Sequence, residues 1–371
     1  MSKAAELAAL IGSQTALSNR NLIINGAMQV AQRGTSAVAV GAGTFIVDRF
    51  KTYKSNDGAY TIEQSTDAPD GFTTSLKGQV TTADTSIAAG QYAYWPYYIE
   101  AQDLQHLSYG ASSAKTITLS FWVKSSKTGV YTIAAYKPDN TAYIFTQEYT
   151  ISSANTWENK TITIAPTAGS TSFITSSGGE IANDNGPGLI LSWNLSFGSN
   201  FTGGTSNSWS NNTSDYSTTN AVNWMDSTSN NFYLTGVQLE IGEQAQPFEH
   251  RSFGDELRRC QRYFWRISGY DSGGIQYPAG ANVAFSTSAA ALTVIYPVPM
   301  RGKPTFTADA NTICTGVGCY NATGQSLLST TVLAALLQIN TGASSFDPEE
   351  TNFSYFMGQN SNSFIAFDAE L

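Results

Sequence analysis

Residues 232–265 constrain how this chain divides more than any other stretch. They begin Phe-Tyr-Leu-Thr-Gly-Val-Gln-Leu-Glu-Ile-Gly, pass through Pro-Phe-Glu-His-Arg-Ser and close on Glu-Leu-Arg-Arg-Cys-Gln-Arg-Tyr-Phe-Trp. Tyr233, Val237, Leu239 and Ile241 recur with period 2, the spacing that lines one face of a strand. Gly242 and Pro247 end that strand. Ser252 followed three residues later by Asp255 has the form of a capping box. Leu257, Cys260, Gln261 and Phe264 then share one helical face. A strand, an arm and a short helix in unbroken succession read as the end of one β-domain, a hinge and the entry to another. The expected divisions are an N-terminal helix over 1–20, a β-sandwich over 21–250, a hinge helix over 251–265 and a second β-domain over 266–371.

The rest of the chain repeats the strand pattern. Ile117, Leu119, Phe121 and Val123 alternate with Thr118, Ser120 and Trp122. Ile162 and Ile164 alternate with Thr161 and Thr163. Leu189, Leu191, Trp193, Leu195 and Phe197 do the same with Ile190, Ser192, Asn194 and Ser196. Each run predicts a strand with one buried face, and their number predicts a mainly β, antiparallel sandwich. In the second β-domain Leu292, Val294, Tyr296, Val298 and Met300 alternate, as do Phe353, Tyr355 and Met357. Pro297 and Pro299 place the first of these runs at an edge or a subunit contact. Val332 to Ile339 is apolar almost throughout and fits a buried strand or a short helix. Residues 199–231 form a polar, low-complexity loop, long enough inside a domain to be either functional or mobile. Ala4, Leu7, Ala8 and Ile11 share a face near the N-terminus, with Leu10 at its margin, and a helix this short needs a partner for that face.

Composition excludes several classes. The 371 residues suffice for two or three domains of roughly 150 residues. Lys and Arg total 19 against 28 Asp and Glu, a net charge of -9, with no basic cluster beyond Arg258, Arg259 and Arg262. Nucleic acid is therefore not an expected partner. No signal peptide and no apolar run long enough to insert in a bilayer are visible. The three cysteines, Cys260, Cys314 and Cys319, make no disulfide framework and read as reduced thiols, although Cys314 and Cys319 could meet across a turn. His106 and His250 lie far apart, which argues against a metal site, and no cofactor is expected. Asp48 invites thought of a structural Ca²⁺, but no ligand spacing supports one.

The candidate chemistry is aromatic. Tyr92, Tyr94, Trp95, Tyr97 and Tyr98 crowd one segment, with Glu100, Gln102 and Asp103 after them. Sugar rings stack on aromatic faces and need polar partners around their rims, so this segment is a glycan-binding candidate. The competing reading is that some of these rings fill the core. Trp209 and Trp224, in the polar loop, are further candidates, as ligand platform or as anchor. Glu240, Glu243, Glu249 and Asp255 do not resolve into a catalytic pair. No nucleophile elbow or phosphate loop is present, so no enzyme is expected.

A resemblance gives these readings a setting. Gly236-Val-Gln-Leu-Glu-Ile-Gly, Pro247-Phe-Glu-His-Arg-Ser and Glu256-Leu-Arg-Arg-Cys-Gln-Arg-Tyr-Phe resemble segments of tail-fibre and related virion proteins of tailed bacteriophages, especially phages of aquatic bacteria. The opening Asn21-Leu-Ile-Ile-Asn-Gly-Ala-Met-Gln-Val-Ala-Gln-Arg-Gly, then Asp48-Arg49-Phe50, Ser120-Phe-Trp-Val-Lys and the closing Ala369-Glu-Leu fit the same family. The likeness spans most of 20–265 and thins afterwards. It implies a jelly roll like that of carbohydrate-binding modules, whereas the alternation alone fits any antiparallel sandwich. It implies a homotrimer made in the host cytoplasm and carried on the virion. Its N-terminal Leu7, Leu10 and Ile11 would meet symmetry mates or other virion proteins. One β-domain would meet a glycan or protein receptor on the host cell. The alternatives are a head fibre or capsid-decorating protein and, further off, a glycan depolymerase.

Overall fold

The computed structural model describes residues 20–268, 282–309, 311–314, 319–341, 355–358 and 364–371. Leu7, Leu10 and Ile11 lie outside the described residues. The chain forms two compact units, Met1–Phe253 and Gly254–Leu371.

The first unit opens with β1 (Val38–Ala39), β2 (Ala42–Phe45), β3 (Lys51–Ser55), β4 (Ala59–Ser65), β5 (Ser75–Thr82) and β6 (Tyr92–Glu100). Then come β7 (Ile117–Ser125), β8 (Gly129–Lys137), β9 (Tyr143–Ile151) and β10 (Glu158–Ile164). It ends with β11 (Pro187–Phe197), β12 (Ser208–Ser210) and β13 (Asn231–Ile241). One sheet has the order β1-β4-β5-β13-β7-β10 and the other β12-β9-β8-β11-β6-β3-β2. Every pairing is antiparallel, and the chain passes repeatedly from one sheet to the other in jelly-roll manner. The two inner faces meet through aromatic rings. Phe121 of β7 stands edge-on to Trp193 of β11 at 5.7 Å, and Trp95 of β6 edge-on to Phe232 of β13 at 5.2 Å. All four are fully buried, and edge-to-face contact adds to the stabilisation from burying their area.

Two strands depart from simple alternation. β13 carries a bulge between Thr235 and Gln238, where Gly236 holds φ +61°. The extra residue shifts the parity, so Phe232 and Leu234 face inward before the bulge and Val237 and Leu239 after it. Tyr233, expected on the buried face with Val237, instead lies on the outer face with Lys124 Nζ 4.3 Å from its ring centre. A Cβ on residue 236 would come within 2.8 Å of both Phe72 and Trp122, so glycine is required there for space as well as for φ. β11 carries a second shift between Asn194 and Ser196. It turns Phe197, expected inward with Leu195, onto the outer face.

Both ends of this unit are tied across β13. Asn21 Oδ1 accepts from Leu239 N at 3.1 Å, its Nδ2 donates to Val237 O at 3.1 Å, and Leu22 N donates to Leu239 O at 2.9 Å. Arg251 donates to Asn21 O, and to Ile23 O at 2.9 Å, and pairs with Glu249 at 3.1 Å. Glu249 also accepts from Asn21 N at 2.8 Å. Asp48, fully buried, takes Gln32 N at 3.1 Å and lies 3.6 Å from Arg33, while Arg49 donates to Tyr98 O at 2.6 Å.

Helix α1 (Phe253–Gln261) starts on the last residue of the first unit, and the second unit goes on with β14 (Phe264–Ser268), β15 (Asn282–Ser286), β16 (Ala289–Ile295) and β17 (Thr305–Asp309). It continues with β18 (Asn311–Cys314), β19 (Cys319–Thr330), β20 (Ala334–Thr341), β21 (Tyr355–Gly358) and β22 (Phe364–Asp368). The sheets are β14-β22-β17 and β15-β16-β20-β19-β18-β21. Leu292, Val294, Leu337, Ile339, Ile365 and Phe367 share their core. The helix stops at Gln261, so Phe264 belongs to a strand rather than to the helical face. β16 ends before Pro297 and is paired on both sides, not an edge. The apolar run 332–339 is largely strand, with Ala335, Leu337 and Ile339 inward. Cys260 is buried, and Cys314 stands opposite Cys319 in register.

Replacing Trp193 by Ala, which empties the space between Phe50 and Phe121, should cost about 3–5 kcal/mol in urea unfolding. A pH effect follows from Lys137, a fully buried side chain whose Nζ donates to Asp139 O, to Gly178 O at 2.9 Å and to Glu180 O at 3.1 Å. Burial pushes its amine down to about 8, with Asp139 and Glu180 pulling the other way. Between about 8 and 10 the unfolded chain then binds the extra proton, so stability rises with pH across that window. Above about 10 buried Tyr60 and Tyr149, whose phenols burial pushes up, reverse the slope. The urea midpoint should climb from about pH 8 to 10, and Lys137→Met should flatten that climb.

Candidate functional site

Strand β6 sorts the aromatic segment by parity. Trp95 and Tyr97 point inward and are 0% and 1% exposed, while Tyr92, Tyr94 and Tyr98 stand half-buried on the outer face of the seven-stranded sheet. Trp95 and Tyr97 are therefore not ligand platforms, which corrects the sequence reading. The Tyr97 hydroxyl instead accepts from Ile24 N at 2.7 Å, holding the N-terminal segment. The loop tryptophans are corrected in the same way. Trp209 is buried against Phe145 and donates to Ala165 O at 2.9 Å, and Trp224 is buried edge-on to Tyr60 at 5.3 Å. Both are anchors. Glu100 is buried too, with Gln102 donating to it at 2.5 Å.

The three outward tyrosines belong to a larger array. Tyr53 on β3 lies opposite Tyr94 in register, the rings stacked at 5.6 Å and 13°. Phe197, carried outward by the β11 bulge, is 5.7 Å from Tyr94 and 6.2 Å from Tyr92. Tyr216, from the polar loop, stacks on Phe197 at 5.6 Å and 11° and reaches Tyr94 at 5.9 Å and Tyr136 at 6.4 Å. Phe201 closes against Tyr92 at 5.7 Å. The result is a continuous aromatic ladder across the outer sheet face. Lys51 Nζ lies 5.1 Å from the Tyr53 ring and 5.3 Å from that of Tyr98, which places a cation at one end.

The loop is fixed on the sheet by polar side chains of β8, β9 and β11. Asn194 donates to Tyr216 O at 2.5 Å and to Thr132 at 3.2 Å, and Thr132 bonds Ser217 at 3.1 Å. Thr146 donates to Asp215 O, and Glu148 accepts from Thr218 at 2.5 Å and Asn220 at 3.0 Å. The loop thus covers the β9-β8 side of the face and walls the ladder there. Sequence reasoning missed Tyr53, Tyr136, Phe197, Phe201 and Tyr216. The loop's polar composition and length stand out in the sequence, but Tyr216 within it carries no spacing that marks it.

The phenols of Tyr94, Tyr98 and Tyr216 stay neutral over a wide range. Burial, followed by the neighbouring phenols, pushes Tyr216 up to about 12 and Tyr94 and Tyr98 higher still. Each hydroxyl therefore keeps a proton to donate as well as lone pairs to accept. Ring faces flanked by neutral donors and acceptors suit ligands with apolar faces and hydroxyl rims. Among the described residues no cluster of His, Cys, Asp and Glu could hold a metal. The Asp48 carboxylate is engaged by Gln32 and Arg33. Among the described residues no helix is long and apolar enough to cross a membrane.

No family model and no curated protein matches the chain. Among solved structures, a Bacteroides thetaiotaomicron protein whose sugar-binding assignment is provisional is 12% identical, with TM-score 0.33, over 60% of this chain and 100% of that one. The enzymatically active domain of bacteriophage CBA120 tailspike protein 4 is 14% identical, with TM-score 0.29, over 60% of this chain and 22% of that one. A xylan-binding CBM22-1 domain from Paenibacillus barcinonensis is 11% identical, with TM-score 0.26, over 61% of this chain and 96% of that one. Likenesses this distant carry no weight for ligand or role.

The ladder makes its own spectroscopic prediction. In an absorbance titration of phenolate, Tyr216 should ionise only at about 12, and Tyr94 and Tyr98 beyond it. Asn194→Ala should free the loop, bring ladder phenols down toward the ordinary value and open 199–223 to limited proteolysis.

Proposed function

We propose that this protein is a non-enzymatic fibre component of a tailed-bacteriophage virion, and that its aromatic ladder holds glycans of the host-cell surface. The ladder carries the glycan half of this reading. Rings from β3, β6, β8 and β11 and from one tethered loop meet on an outer sheet face, where core packing does not call for them. The virion half is supported by the motifs at Asn21–Gly34, Asp48–Phe50 and Gly236–Ser252, with their resemblance to tail-fibre proteins. In this reading Leu7, Leu10 and Ile11 attach the chain to its neighbours on the particle. Joining copies in a trimer raises the effective concentration of weak glycan sites without any new contact.

The test is titration of the purified full chain with surface polysaccharide from host cells. Tyr94→Ala and Tyr216→Ala should each weaken binding about tenfold, the effect of losing one aromatic contact and its apolar area. Trp157→Ala, just before β10 and 6.0 Å from the Tyr233 ring of β13, should leave affinity unchanged, and no reducing sugar ends should appear. Wild-type affinity in both ladder variants would move the receptor site elsewhere.

A further inference from the structure

The ladder ends on a charge that a neutral glycan would not require. Parity turns Lys51, Tyr53 and Ser55 of β3 outward, and from Tyr92 to Tyr98 β6 adds Tyr92, Tyr94, Pro96 and Tyr98. Lys51 is the one charged side chain among these. Its Nζ lies 5.1 Å from the ring centre of Tyr53, 5.3 Å from that of Tyr98 and 5.6 Å from that of Phe45. All three are inside the roughly 6 Å over which a ring face attracts a cation. A lysine that only covered the rings with its stem would carry its ammonium past them into water. Here the backbone makes room for the ammonium to stay. β2 shifts register between Ala42 and Thr44, and Gly43 at the shift holds φ +87°. A Cβ at residue 43 would lie 2.9 Å from Lys51 Cε and 3.3 Å from the Tyr53 hydroxyl, so glycine leaves space for both. Tyr53 in turn stacks on Tyr94, so the ammonium sits one ring away from the middle of the ladder. Arg33 also lies over Phe45, at 4.6 Å, but it faces the buried Asp48 carboxylate at 3.6 Å.

Charge sets the ligand class. Ring faces hold a cation without cancelling its charge, whereas a carboxylate placed against it does both. The groups beside the ammonium are neutral phenols. Tyr53 and Tyr98 hydrogen-bond one another, and burial keeps the Tyr98 hydroxyl protonated. O–H donors next to an ammonium gain more from an oxygen that carries negative charge than from a sugar hydroxyl. The net charge of -9 opposes an acidic ligand chiefly at long range, because exposed charges more than about 8 Å apart are largely screened at physiological salt. At contact the nearest charge decides, and on the outward face of β3 and of β6 from Tyr92 to Tyr98 that charge is Lys51. One ammonium matches the single charge of a carboxylate. A terminal phosphate, with nearly two charges, is better held by the fork of an arginine.

We infer that the ladder takes acidic glycans, with a sugar carboxylate seated against Lys51 and the adjoining sugar rings on Tyr53 and Tyr94. The inference rests on the glycan reading and narrows it to one ligand class. The test is titration of the full chain with host surface polysaccharide before and after its carboxyl groups are reduced to alcohols with carbodiimide and borohydride. Reduction keeps the sugar chain and removes the charge. Wild-type affinity should fall about tenfold on reduction, the effect of losing one charge-assisted contact. Lys51→Met should bind the native polysaccharide about tenfold more weakly than the wild type does and should no longer distinguish the two forms. Lys51→Arg, which keeps the charge, should keep the preference, and urea unfolding of both variants separates lost contact from lost fold. Equal wild-type affinity for native and reduced polysaccharide, with Tyr94→Ala weakening both, overturns this inference and leaves the glycan reading standing. So does affinity that is lost when cold hydrofluoric acid removes phosphate but kept on carboxyl reduction. If neither form binds, or binding is indifferent to Tyr94→Ala, the glycan reading itself fails and takes this inference with it.

Discussion

Strand parity is the constraint on which the rest of the first unit depends. In a pleated strand each successive side chain changes face, so an aromatic segment such as Tyr92–Tyr98 cannot commit wholly to the core or to the surface. β6 sends Trp95 and Tyr97 inward, where they close the sandwich, and Tyr92, Tyr94 and Tyr98 outward. Two bulges then adjust that sorting. The one at Gly236 keeps β13 apolar on its inner face past the point where simple alternation would have exposed it. The one after Asn194 moves Phe197 from core to surface and so supplies the ring on which Tyr216 stacks. Core and ladder are two products of the same register.

The polar residues complete what parity begins. Asn194 faces outward from β11 next to Thr132 of β8, and its amide holds the loop backbone at Tyr216. The loop is long and rich in Ser, Asn and Thr, yet its course is set by side chains of the sheet beneath and by buried Trp209 and Trp224 at its margins. Low-complexity composition here goes with a fixed path. Its many short polar side chains satisfy one another, as Ser210 and Asn212 satisfy Asp215 at 2.7 Å each.

Much of this was legible beforehand. The alternation of Ile117–Val123 and Ile162–Ile164 identifies strands that do bury those residues, because a half-buried strand imposes its period directly on composition. The bulges were not legible. A single extra residue leaves no mark except where geometry demands glycine, and at Asn194–Ser196 it demands none. The run Val332–Ile339 was ambiguous because an apolar stretch carries no period, and pairing with β16 and β19 settles it as mostly strand. The ladder was half legible. Tyr92, Tyr94 and Tyr98 stand out as a cluster, but Tyr53, Phe197 and Tyr216 join them only through register and loop path.

The clamp across β13 has a mechanical consequence. Asn21 and Arg251 bring the entrance and exit of the first unit to one place, so the unit hangs from the chain by a single closed joint. Tension applied between Arg20 and Ser252 falls first on the Asn21–Glu249 and Asn21–Arg251 hydrogen bonds and on the Leu22–Leu239 pair. Of the sheet strands, β13 meets that load, through Leu239. A ring surface such as the ladder then keeps its shape while the chain is pulled, until that joint gives way.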